Sequence, residues 1–292
     1  NMNKNTLNGY SFVSHYADNA QLRDSLNRLS NSLWGITVLH GGEADYVPFS
    51  QTLNGDVVAN VCVGRFCLVA DNKTFDASMI QTVMTAEPHR NQGLIRALFQ
   101  PVQEHIAQTT GRTFFSAHKH MADFYGKFGY RAFPLTDYFA FAPNVNAPAS
   151  KKMQPIDLND PAQRQQFERV AELRQAVSQK MGFVQRNWLL HWFCQYFHQR
   201  NLYWLPELEA YVIAVFHGED IEVKDIIALR IPSWAELQPY FSLSEQTVVK
   251  FFFSPDQLQC EAQPVMSDED WFFADEAFPA LDIYCLPDTQ RG

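Results

Sequence analysis

The part of this 292-residue chain best equipped for chemistry runs from Ile80 to Leu98. An apolar run from Met79 to Ala86 feeds Glu87-Pro88-His89 and then Arg90-Asn91-Gln92-Gly93-Leu94-Ile95. Beyond it, Leu94, Leu98, Val102 and Ile106 recur at helical spacing. A strand that turns through a glycine into a helix leaves the first amides of that helix without intrahelical partners, at the positive end of the helix dipole. Such a turn can cradle a phosphate or pyrophosphate, or can simply start a helix. Gly93 lets the backbone approach a ligand closely, and Arg90 and Arg96 add positive charge. The pattern is neither a Walker loop, since no Gly-Lys-Ser/Thr follows, nor the GxGxxG dinucleotide fingerprint.

Other reactive residue types read more plainly. His118 and His120 share one side of an extended segment, but no third ligand is evident and no metal is expected. His191 and His198 fall among Trp188, Trp192, Phe193 and Tyr196, which predicts a buried packing stripe. Ser267-Asp268-Glu269-Asp270 predicts a solvated turn before Trp271. The five cysteines, Cys62, Cys67, Cys194, Cys260 and Cys285, include no CxxC pair, which suits idle thiols in a reducing compartment.

These residues need elements to position them. Leu22, Leu26, Leu29 and Leu33 predict a helix over Ala20–Leu33. Val57–Ala70 predicts paired strands with a turn at Asp71-Asn72-Lys73, and Met79–Ala86 a further strand before the Leu94–Gln108 helix. Thr113–Ala117 predicts a strand, Met121–Phe128 a short helix ended by Gly129, and Arg131–Phe141 a strand. The order is that of an α/β or α+β domain. Two prolines among small polar residues from Ala142 to Lys152 predict a linker, dividing the chain into domains 1–142 and 153–292 joined by 143–152. In the second half the pattern predicts helices over Asp160–Lys180, Trp188–Tyr196 and Ser233–Phe241. A hairpin is expected over Ala210–Phe216 and Ile221–Leu229, with strands at Thr247–Phe253, Trp271–Phe273 and Leu281–Cys285. This order echoes the first half and suggests a diverged duplication.

Composition narrows the classes. Hydrophobic residues make up 46% of the chain and charged ones 19%, enough for two well-buried cores. The formal charge of −9 falls on residues 150–292, since residues 1–149 carry 11 basic and 11 acidic side chains. An acidic half opposes nucleic-acid binding; it reads first as a solubilising face, and mildly favours a cationic substrate or basic partner. No apolar run approaches a bilayer span, and Asn1–Gly9 lacks the pattern of a secretory leader, so a soluble cytoplasmic protein is expected. Oligomeric state is not legible.

The Arg90–Ile95 stretch resembles motif A of the GNAT superfamily of acetyl-CoA-dependent N-acetyltransferases, [RQ]-x-x-G-x-[GA], with Ile95 departing from the final glycine or alanine. Downstream, Ala122-Asp123-Phe124-Tyr125-Gly126-Lys127-Phe128-Gly129-Tyr130 is similar to the family's A-x-x-[FL]-Y-x-K-x-G-[FY] segment. The resemblance covers residues ~50–140. It implies a GNAT fold, a mixed central sheet with flanking helices, and acetyl-CoA as cosubstrate. It implies that Val83, Met84 and Thr85 pair with the pantetheine arm as an added strand, and that an amide there polarises the thioester. Arg90, Asn91, Gln92, Gly93, Leu94 and Ile95 would hold the pyrophosphate, with Phe124 and Lys127 flanking the cofactor. Tyr125 would protonate the departing thiolate. His118, Glu87 or a water relay would serve as base, because Gln81 and Thr82 occupy the strand positions where a carboxylate is expected. The acceptor would be a small-molecule or peptide amine, with no nucleic acid and no membrane as partner. The second half has no glycine after Leu229 and no Tyr-x-Lys-x-Gly segment. A degenerate GNAT-like domain that walls the acceptor site is expected there. The rival readings are an acyl-CoA binder or sensor without turnover, and an interaction module on a vestigial fold.

Overall fold

The computed structural model describes residues 9–41, 44–141, 146–184 and 188–291. In the first half, β1 (Ser11–Ser14) leads to α1 (Ala20–Trp34), then β2 (Tyr46–Leu53), β3 (Asp56–Ala70) and β4 (Lys73–Thr85). After β4 come α2 (Leu94–Gln108), β5 (Thr113–His118), α3 (Ala122–Gly126) and β6 (Arg131–Phe141). The side chain of Asn19 caps α1 by accepting from the Leu22 amide at 3.1 Å, and Gly35, at φ 69°, ends the helix. Val57–Ala70 is one continuous strand rather than two. Its partner is β4, reached through Asp71 and Asn72, which both take positive φ as a tight hairpin turn requires. β1 and β2 escape prediction from pattern because β2 carries Pro48, Ser50, Gln51 and Thr52, polar or strand-breaking types that lie buried.

The second half runs β7 (Gln154–Pro155), α4 (Pro161–Leu173), β8 (Met181–Phe183), α5 (Trp188–Tyr196) and β9 (Leu202–Leu205). It continues through β10 (Ala210–His217), β11 (Asp220–Ala228), α6 (Trp234–Leu237), β12 (Val248–Phe251) and β13 (Gln263–Ala274). Asp160 caps α4 by accepting from the amides of Ala162 and Gln163. The helix stops at Leu173, short of the expected Lys180, because Arg174 leaves helical geometry for a bidentate pair with Asp225 at 2.7 and 2.9 Å. Both side chains of that pair are fully buried. Leu281–Cys285 is not a strand; it contributes a single bridge, Tyr284 to Leu135.

The sheet is mixed, and its strand order is β1-β2-β3-β4-β5-β13-β6-β12-β11-β10-β9-β7, with β8 pairing β3 off this path. The order is nearly symmetric about the β13/β6 pair. Each half has a parallel pair, β4 with β5 and β11 with β12. Beside each parallel pair lies a long antiparallel strand donated by the other half: β13 on β5, and β6 on β12. The chain path therefore crosses between the halves twice. The expected linker lies partly outside the described residues; from Ala147 onward it is bonded to the second half, by the Ala147–Leu243 bridge and by amides of Ser150 and Lys151 on the Pro239 carbonyl. One apolar core packs α2 and α3 against β3–β5 and includes Phe272 and Phe273 of β13; another fills the second half around Val212, Val223 and Phe251.

Candidate active site

Between β4 and α2 the backbone forms an open depression of about 290 Å³. Asn91 and Gly93 both take left-handed conformations, φ 61° and 74°. Nothing lies within 4 Å of where a Cβ on Gly93 would stand, so glycine is favoured there by conformation and not by crowding. No side chain caps Gly93, and the first residues of α2 line this depression at the positive helix end. Asn91, Gln92, Gly93, Leu94, Ile95 and Arg96 line it on one side, with Phe124 and Lys127 across from them. Half-buried Ile95 packs on the core and forms part of the wall. Arg96 lines the depression; Arg90 does not, and its Nε donates to the Thr85 carbonyl at 3.4 Å. The loop is tied down by buried Tyr10, whose hydroxyl donates to Gln92 Oε1 at 3.0 Å. Having one proton, that hydroxyl must accept at its 2.9 Å contact with His89 Nδ1, which fixes the His89 tautomer.

β4 and β5 pair only at Ser78–Thr113 and Met79–Phe114, and then part. A bulge drives the separation: the β3–β4 register shifts between Asn60 and Cys62, and Thr82 takes φ 53°. A polar network holds the bulge. Asn60 Nδ2 donates to the Thr82 carbonyl at 2.9 Å, and Asn60 Oδ1 accepts from Ser50 Oγ at 2.7 Å. Ser50 Oγ also bonds Tyr16 at 2.6 Å, and the Tyr46 hydroxyl bonds Thr82 Oγ1. The wedge between the parted strands opens into an inner cavity of about 320 Å³.

Ile80, Gln81, Thr82 and Val83 of β4 and Phe115 and Ser116 of β5 line this cavity. Thr85 lies at the cradle, and Met84 is buried beneath α1, the alternation a strand dictates. Tyr125 reaches the cavity from α3. Its ring is 4% exposed and packs edge-on against Phe115 and Phe273 at 4.7 and 5.3 Å. Its hydroxyl has no hydrogen-bond partner among the described residues. Burial, with a smaller contribution from neighbouring Tyr130, pushes the Tyr125 pKa up to about 12, so it stays a neutral donor at physiological pH. His118 and Glu87 are exposed, and neither lines the cavity. His118 and His120 make a close Nδ1–Nδ1 contact, and no metal-binding cluster occurs among the described residues.

The second half supplies the roof. Trp188, Leu189 and Trp192 of α5 line the inner cavity. α5 is moored to the first half by Trp192 Nε1, which donates to the Thr37 carbonyl at 3.2 Å, and by Trp188 against Tyr46 at 4.5 Å. The aromatic spacing of 188–196 carried no signal that it would meet a cavity on the other half. Buried Cys194 and Cys285 have thiol pKa values driven upward by desolvation, which removes them as nucleophiles.

Residues 27–133 match the family model described as an acetyltransferase (GNAT) domain. No curated protein matches the chain by sequence. Among solved structures, a conserved protein of unknown function from Enterococcus faecalis, described as a probable N-acyltransferase, superposes with a TM-score of 0.60 at 14% identity, over 90% of this chain and 71% of that one. A GCN5-related N-acetyltransferase from Kribbella flavida gives 0.53 at 14% identity, with coverages of 90% and 71%. Eis1 from Mycobacterium abscessus gives 0.53 at 15%, with coverages of 86% and 70%. At such identities the likeness is one of fold, and it spans both halves.

Proposed function

We propose that this chain, whose residues 27–133 match a GNAT acetyltransferase domain, is an acyltransferase that transfers an acetyl group from acetyl-CoA to a primary amine by direct attack in a ternary complex. One observation carries this reading: the parted β4–β5 wedge, the amide-lined depression at α2 and the unpartnered Tyr125 hydroxyl converge within one site. The free edge of β4 suits a pantetheine arm added as a strand, Val83 towards the inner cavity and Thr85 towards the cradle. The α2 amides, with Arg96 and Lys127, suit the diphosphate. The thioester would then lie in the inner cavity beneath Tyr125.

The amine nitrogen lone pair attacks the thioester carbon, an amide of β4 stabilises the developing oxyanion, and the C–S bond breaks to release thiolate. A phenol pushed up to about 12 is a weaker acid than an alkyl thiol, so it gives its proton to the departing thiolate only uphill. Tyr125 therefore acts first as a hydrogen-bond donor that stabilises the departing sulfur. Among the described residues no carboxylate or imidazole lines the inner cavity, so water carries off the proton lost by the amine. Holding both reactants in this wedge supplies much of the rate.

The direct test is release of free CoA from acetyl-CoA across a panel of primary amines. Amine-dependent release that falls in Tyr125→Phe while CoA affinity holds supports transfer. CoA binding without release by any amine favours the binding-protein reading, and no CoA binding at all removes both.

A further inference from the structure

The inner cavity does not end at the tryptophans. Val38, Trp188 and Trp192 also line a second, outer groove of about 430 Å³, so the two spaces share one wall. The far side of the outer groove is built by the second half. Glu168 and Glu172, one helical turn apart on α4, face it, together with His191 and Gln195 of α5 and His40 of the first half. Both carboxylates are exposed and have no ion-pair partner among the described residues. Arg164 stands one turn earlier on α4 and lines an adjoining recess that shares Glu168, His191 and Gln195 with this groove.

At the inner end lies a different kind of vacancy. Gln81 is 6% exposed, and its carboxamide has no hydrogen-bond partner among the described residues, with Oε1 fully shielded. Its Oε1 would stand only 2.8 Å from a Cβ on Gly64, so the absence of a side chain at 64 makes the room it occupies. Burying an amide without partners is costly, and in a cavity wall it is best explained by a ligand that supplies them. Gln81 lines the chamber where the attacking nitrogen must sit, and with Oε1 turned toward Gly64 the amide nitrogen is the end left for a ligand.

We infer that the acceptor is a linear amine carrying a second cationic nitrogen, and that Glu168 and Glu172 select it. This rests on the transfer reading above. The reacting amino group enters the inner cavity and, as a neutral amine, accepts from the Gln81 carboxamide nitrogen, so Gln81 acts as a positioning residue. The alkyl segment runs over the indoles of Trp188 and Trp192, whose faces accommodate both methylenes and cationic charge. The distal ammonium stops between the α4 carboxylates. Specificity is thus divided between the halves: the first holds the acyl donor, and the second measures the acceptor.

The experiment compares α,ω-diamines of four to eight carbons with n-alkylamines of equal length, using the full chain and acetyl-CoA, and reads the ratio of their kcat/KM values. The ratio should favour diamines, peak at one length and shrink as salt is raised, since exposed carboxylates are screened. In Glu168→Gln/Glu172→Gln the ratio should fall about tenfold, the order expected from two solvent-exposed ion pairs. Gln81→Leu should lower the rate with both amine types while keeping the wild-type ratio. A ratio indifferent to length, and unchanged in the double variant, overturns the inference while leaving acetyl transfer standing. If no amine is acetylated, quenching of tryptophan fluorescence by 1,6-diaminohexane decides separately. Quenching that is lost in the double variant retains the groove and removes the transfer reading, and absence of quenching removes the groove as well.

Discussion

In the proposed reaction two residues act in opposite ways, one through its backbone and one through its hydroxyl. Gly93 sits at φ 74° with open space where a side chain would stand. Aspartate tolerates left-handed geometry better than most residues, so Gly93→Asp should preserve the fold while placing a negative charge in the diphosphate position. CoA affinity, read by calorimetry, should drop at least about tenfold, the loss expected on removing charge-assisted hydrogen bonds; unchanged affinity would refute the cradle. Tyr125→Phe removes one hydrogen bond to a charged leaving group, and kcat should fall about 10- to 100-fold with CoA affinity intact. The pH profile gives a second check. Because burial raises the Tyr125 pKa to about 12, the donor form is full below the ordinary phenol value of about 10 and is lost only as pH rises through the folded value. The value of kcat/KM should climb as the acceptor amine deprotonates and should not decline below pH 10. A descending limb centred between pH 8 and 10 would contradict a buried Tyr125 donor.

At the scale of elements, the site depends on a defect in a strand. β4 leaves β5 because Thr82 bulges, and the bulge is held by Asn60, which bonds its carbonyl and is itself oriented by Ser50 and Tyr16. Asn60 is fully buried. Asn60→Leu should leave the Thr82 carbonyl without this partner and Ser50 bonded to Tyr16 alone, at a cost of about 1–3 kcal/mol, read as a lower midpoint in urea. Activity should fall further than stability alone explains, since closing the wedge removes the inner cavity. A variant with full activity and an unchanged midpoint would show that the network is incidental. Sequence pattern placed β4 and α2 well, because apolar periodicity and a glycine-marked turn are local signals. The bulge was not legible: it is specified by Asn60, Ser50 and Tyr46, which come from other strands.

In the whole molecule, the exchange of β6 and β13 joins the halves more tightly than their sequences indicate. β13 carries Phe272 and Phe273, both fully buried in the core that also holds Tyr125. Phe273→Ala, some 150 residues after the motifs, should cost about 3–5 kcal/mol and loosen the Tyr125 pocket; near-native melting would argue against the exchange. Residues 1–142 produced alone should lack cooperative unfolding, because β5 and β6 would face a gap where β13 belongs. CoA binding by that fragment would sink this expectation. The roof contributed by α5 has the same consequence for function, since neither half encloses the inner cavity without the other.

By itself the sequence located the segments that the proposed reading assigns to the acyl donor. The strand, the Gly93 turn, the α2 helix and the Tyr125 segment are contiguous, and contiguous geometry is set by local backbone chemistry. The acceptor side was decided by tertiary structure alone. Gln81, Trp188 and Glu168 are separated by up to 107 positions along the chain, and only the packing of α4 and α5 over β4 puts them around one space. Nor could local pattern reveal β13 between β5 and β6, because a strand's own residues specify that it pairs and which face it buries, while its neighbours are chosen by the fold.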